Sequence, residues 1–149
     1  MSEIFFYHLQ RQPLERVLPV LVEKCLERGW RVVVQAASEE RVAALDDLLW
    51  TYSDASFLPH GTEGGGEVEH QPVVLTAGDG NPNGAEVRML VDGAAGPDAA
   101  AYVRTLLLFD GNDAEAVAAA RERWRGFAAA GHSVVYWQQD EDGRWGRKA

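Results

Sequence analysis

A single cysteine, Cys25, occurs in 149 residues. No disulfide can therefore form within the chain, and no thiolate cluster can hold a metal. Cys25 sits in an apolar helical pattern and reads as a buried, inert thiol. The histidines His8, His60, His70 and His132 are scattered, with no H-E-x-x-H or other short ligand pair. Positive charge is also scarce: 14 Lys and Arg face 23 Asp and Glu, for a net charge of −9. A broad nucleic-acid surface needs a basic face, so that class is disfavoured. No apolar run approaches the roughly 20 residues that span a bilayer. MSEIFFYHLQRQ has neither the basic start nor the apolar stretch of a secretory signal, and the expectation is a cytoplasmic protein. Glycine is missing where a nucleotide fold needs it. The first strand-to-helix turn is Leu9-Gln10-Arg11-Gln12-Pro13, which gives no close backbone approach to a pyrophosphate. Gly78-Asp79-Gly80 and Gly84 precede a strand rather than a helix, so no helix N-terminus is there to receive phosphate.

What is present suits one globular domain over residues 1–149, with 46% apolar and 25% charged residues. EIFFYHL at 3–9 predicts a strand. Leu14, Val17, Leu18, Leu21, Val22, Cys25 and Leu26 recur at spacings of three and four, predicting a helix that contains Pro19 and stops at Gly29. Residues 30–36 form a mostly apolar run, as in a strand covered on both faces. Ser38 then caps a second helix, with Glu39 and Glu40 in its first turn and Val42, Leu45, Leu48, Leu49 and Tyr52 as its stripe. Strands are predicted at 72–76, 86–91, 102–109 and 132–138. A last helix opens at Asp113 and stops at Gly131. The order β-α-β-α-β-β-β-α-β predicts a three-layer α/β domain, a sheet flanked by helices.

Two stretches stand out chemically. LDDLLWTYSDASFLPHG, residues 45–61, crowds Trp50, Tyr52, Phe57 and His60 around a turn. His60 with Asp54 and Ser56 has the residue types of a triad, but no nucleophile elbow or oxyanion-forming turn accompanies them, and no catalytic residue is assigned. The second stretch is the last helix, where Val117, Ala120, Trp124 and Phe127 form a seam that packs on the sheet. Arg121 and Arg125 lie four apart beside Trp124. Residues 120–149 hold six of the 14 basic residues against four acids, a locally basic end on an acidic chain. Arginine can grip a carboxylate bidentately and an indole supplies contact area, so this cluster suits a ligand both apolar and anionic. The competing reading is a solvated face in which Glu122 partners the arginines.

FFYHL, CLERGWRVVVQAASEERVAALDDLLWTYSDASFLPHG, PVVLT and ARERWRGFAAAGHSVVYW, in that order, resemble the chi subunits of bacterial DNA polymerase III over nearly the whole chain. The block from Leu45 to Gly61 is the most specific part. The resemblance implies a Rossmann-like fold without a nucleotide-binding glycine loop, with no cofactor, no metal and no catalysis of its own. It also implies a replication adaptor, associated with the clamp loader, that binds the acidic C-terminal tail of single-stranded-DNA-binding protein. That tail ends in Pro-Phe with a free carboxylate, and the family's basic and aromatic positions fall on Arg121, Trp124 and Arg125. A second surface, for the psi subunit or a helicase, falls on Trp50, Phe57, Pro59 and His60. DNA would be reached only indirectly, and a membrane not at all. Residues 61–71 and the tail 140–149 depart from the family pattern and receive no role. Two rivals remain: a small enzyme on a relic nucleotide fold using His60 or an acid, and an α/β interaction module with an unrelated partner.

Overall fold

The computed structural model describes residues 2–10, 12–51, 60–62, 68–140, 142 and 144–148, with the side chains of 50 and 51 left out. Strand β1 (Glu3–Leu9) shows how the layers arise. Its side chains alternate between faces. Tyr7 and Leu9 join the core beneath α1 (Leu14–Glu27) and α2 (Glu39–Thr51), while Ile4 and Phe6 join a second core beneath α3 (Ala114–Ala129). As the helical spacing predicts, α1 buries Val17, Leu18, Leu21, Val22 and Cys25, and Pro19 lies buried within it. Burial lifts the Cys25 thiol to about 11, so it stays protonated and inert at neutral pH. In α2, Ser38 Oγ accepts from Arg41 N at 3.2 Å, and Val42, Leu45 and Leu49 are buried.

The other strands are β2 (Val32–Gln35), β3 (Gly61–Thr62), β4 (Val73–Thr76), β5 (Val87–Leu90), β6 (Arg104–Asp110), β7 (Ser133–Gln139) and β8 (Trp145–Arg147). They order as β3-β4-β2-β5-β6-β1-β7-β8, all pairs parallel except β7–β8. Central strands such as β2, β4 and β5 are buried along their whole length, the pattern of a sheet covered on both sides. From β1 the chain moves by α1 towards β2, and from β6 by α3 towards β7 on the other side. The ends of β1 and β6 therefore flank the point where the winding reverses.

Strands β3 and β8 were not expected. β3 is two residues long and carries no pattern. β8 exists because the tail turns back on β7 and Trp145 meets the Tyr7 ring edge-on at 5.2 Å. The tail left without a role thus closes one edge of the sheet.

At the start of α3, the Asp113 carboxylate accepts from Glu115 N at 3.0 Å and Ala116 N at 3.4 Å. Asp113→Ala leaves these amides without a side-chain cap and should cost about 0.5–2 kcal/mol in urea unfolding. Asp113→Asn should recover most of it, and an unchanged midpoint for the alanine variant would refute the cap's contribution.

Candidate functional site

In a doubly wound sheet, ligands bind outside the carboxyl ends of the strands where the winding reverses. Here that crevice encloses about 870 Å³ between the ends of β5, β6 and β1 and the starts of α1 and α3. Its rim carries Glu15, Asp92, Asp110, Asp113 and Glu115. Its two arginines are already engaged. Arg41 Nε lies 2.8 Å from Asp92, and Arg123 donates to the carbonyls of Ala94 and Ala95 at 2.9 and 2.6 Å. A phosphate entering there would meet uncompensated carboxylates.

The glycine-rich loop before β5 works with the opposite polarity to a phosphate loop. Arg88, 1% exposed, points its guanidinium into it. Nη2 donates to Gly78 O at 2.7 Å and Gln35 Oε1 at 2.5 Å, and Nη1 to Gly80 O and the Tyr102 hydroxyl, both at 2.9 Å. Nε donates to Gln35 Oε1 at 3.1 Å, so all five N–H groups are satisfied. Gln35 in turn donates to Asp79 at 3.2 Å. The loop therefore turns carbonyls inward to hold a cation of the chain itself.

The outer flank of α3 differs. Ala116, Ala119, Ala120 and Arg123 face the crevice. Trp124 and Phe127 are half-buried on the second core, as the seam predicts. Trp124 packs on Phe6 at 5.6 Å and on Tyr136 of β7 at 5.9 Å, and Phe109 of β6 meets Tyr136 edge-on at 6.0 Å. Tyr136 is also bound through its hydroxyl to His8 Nδ1 at 2.5 Å. Arg121 is exposed and, among the described residues, makes no hydrogen bond or ion pair. It lies near enough for its charge to act on both His8 and Tyr136. Arg125 contacts Glu122 at 2.9 Å, with both side chains more than 70% exposed. Such a surface pair holds its partners weakly, which leaves Arg125 available to a stronger anion.

Arg121, Trp124 and Arg125 therefore do share one surface. The residues that complete it, His8, Phe109 and Tyr136, were not singled out from sequence. Strand alternation was the available signal, since His8 continues the Ile4–Phe6 face and Tyr136 lies two residues from Val134 on the same core.

The other set is only partly described. Phe57 and Pro59 lie outside the described residues, as do Asp54 and Ser56, and Trp50 has only its backbone. His60 is placed. Its side chain has 0% exposure, with Nε2 3.1 Å from Asp46 Oδ1 and 3.3 Å from the Asp46 carbonyl, tying the end of the loop to α2.

Fold and site together define a doubly wound α/β protein whose strand-end crevice is acidic and whose basic, aromatic surface lies on the last helix. The chain belongs to the DNA polymerase III chi subunit (HolC) family, whose model matches residues 1–135. It is also 29% identical over 91 residues to the probable DNA polymerase III subunit chi of Rickettsia prowazekii (strain Madrid E). That alignment covers 61% of this chain and 55% of the relative, so the chain spans about half the length of the curated relative it matches. The family is one of accessory subunits in DNA replication.

Proposed function

We propose that the protein is a non-catalytic adaptor of the DNA polymerase III holoenzyme, working in the cytoplasm beside the clamp loader. In this reading the outer flank of α3 binds the acidic C-terminal tail of single-stranded-DNA-binding protein. The observation that carries it is Arg121, a guanidinium without an ion-pair partner among the described residues, beside the half-buried Trp124 and Tyr136 rings. Arg121 and Arg125 take the terminal carboxylate and neighbouring acids, and the rings take the terminal phenylalanine. The net charge of −9 supports contact with DNA through the partner rather than directly. A second partner, a psi subunit or a helicase, would dock on Trp50, Phe57 and Pro59. His60, assigned to the same surface, is itself buried against Asp46 of α2.

A labelled acidic peptide ending in Pro-Phe with a free carboxylate tests the reading by fluorescence anisotropy. Saturable binding is expected, weakening as salt rises because exposed charges are screened over about 10 Å at 0.1 M. Arg121→Ala, or amidation of the peptide, should each weaken it by roughly tenfold or more, the worth of a charge-assisted hydrogen bond. Equal affinity for the amidated peptide would rule out this carboxylate site.

A further inference from the structure

His8 is a buried titratable group on the floor of this surface, 7% exposed, and the adaptor reading gives it no task. It is clamped from several sides. The Phe109 and Tyr136 rings meet it edge-on at 5.1 and 5.7 Å, and Nδ1 holds the Tyr136 hydroxyl at 2.5 Å. On the far side it abuts the Gly111 backbone so closely that a Cβ there would stand 2.0 Å from its Cδ2 and 2.2 Å from its Nε2. The imidazole has nowhere to rotate, and its Nε2 side is closed by the Gly111 backbone. An edge-sealed imidazole on a half-exposed tyrosine is a fixed donor–acceptor relay that reaches the surface only through the phenol.

We propose that Tyr136 and His8 complete the carboxylate site, Tyr136 as a ligand-contacting donor beside Arg121 and His8 as the positioning residue that decides where the phenolic proton points. The inference rests on the tail-binding reading. With His8 neutral and protonated on Nε2, Nδ1 is an acceptor and the Tyr136 O–H is committed to it. When His8 takes one proton from solvent on Nδ1, that N–H donates to the Tyr136 oxygen. The phenolic O–H is then free to turn outward and donate to a carboxylate held by Arg121. No bond other than these N–H and O–H contacts changes, and one proton is taken up with the anion.

The charges facing His8 set the direction. Burial lowers its pKa below the usual histidine value, and Arg121 on α3 pushes the same way. The Gly111 backbone and Asp110 at the end of β6 oppose them. Tyr136 on β7, its own pKa raised by burial, stays a neutral phenol. In the free protein His8 is therefore neutral at pH 7. A bound carboxylate offsets the Arg121 charge and raises the His8 pKa. Affinity for the anion must then rise as pH falls through the interval between the two values.

The test follows the same Pro-Phe peptide from pH 8 to pH 5.5, where its carboxylates stay ionised, with His8 followed in parallel by NMR of its imidazole. Wild-type affinity should increase as pH falls, by at most about tenfold if the ligand shifts the His8 pKa by one unit, and the NMR titration should move upward on adding peptide. His8→Phe and Tyr136→Phe keep the ring volume and should each lose the pH dependence of peptide binding, Tyr136→Phe with weaker binding at pH 5.5 than the wild type. Peptide binding with no pH dependence, or the same dependence in His8→Phe, overturns this proposal and leaves the adaptor reading standing. Absence of binding at every pH, with His8 unmoved by peptide, overturns both.

Discussion

Replacing Arg88 by methionine should destabilise the protein by about 3–5 kcal/mol, the range for stripping one partner from a buried charged network. A surface arginine changed to methionine would do little. Arg88 is different because its side chain is buried and each of its five N–H groups ends on a protein acceptor. Methionine fills part of the volume and leaves the carbonyls of Gly78 and Gly80, Gln35 Oε1 and the Tyr102 hydroxyl without that donor. Each unsatisfied buried group is worth about 1–3 kcal/mol, offset in part because no guanidinium has to be dehydrated. Lysine should not rescue the loss, since a point charge with three donors cannot reach four acceptors arranged for a planar fork. Urea unfolding measures the effect, and limited proteolysis should find the 78–84 loop cleaved first. A midpoint shift below that of Asp113→Ala would show that the network contributes little.

Phe6→Ala should cost a similar amount, about 3–5 kcal/mol, as is usual for deleting a buried phenylalanine. Phe6 has 0% exposure and lies at the centre of the aromatic group, 5.6 Å from Trp124, 6.2 Å from Phe127 and stacked 6.4 Å from Tyr136. Its loss opens a cavity under both walls of the α3 surface. Binding of the Pro-Phe peptide should therefore fail together with stability, whereas Arg121→Ala should weaken binding and leave the unfolding midpoint unchanged. Phe6→Leu should restore most of the stability and part of the binding. A Phe6→Ala protein that binds normally would show that the surface does not depend on the core beneath it.

The layers were legible in the sequence wherever a side chain's neighbours are set by local periodicity. The inward stripes of α1 and α2, the caps at Ser38 and Asp113 and the stop at Gly131 follow from spacing alone. So does the common surface of Arg121, Trp124 and Arg125, because residues three and four apart on a helix must be neighbours. Pairings across the chain were not legible. Arg88 stands in an apolar strand run, and nothing near it names the glycine loop as its acceptor. His8 and Tyr136 are 128 positions apart. Strand β8 forms because Trp145 finds Tyr7 on a distant strand. The sequence puts His60 on a docking edge, whereas its side chain is fully buried against Asp46 of α2.

The position of β1 inside the sheet has a consequence for how the chain is made. Both neighbours of β1 come late: Glu3 is in register with Arg104 on one side and Ser133 on the other. Translation at about 5–20 residues per second separates β1 from its first partner by several seconds or more. Throughout that time Ile4, Phe6 and two unpaired strand edges are open to other nascent chains. The strand that supplies the floor of the α3 surface thus waits for both of its partners through most of this stretch of synthesis. Its two edges are covered only when β6 and β7 emerge and pair with it.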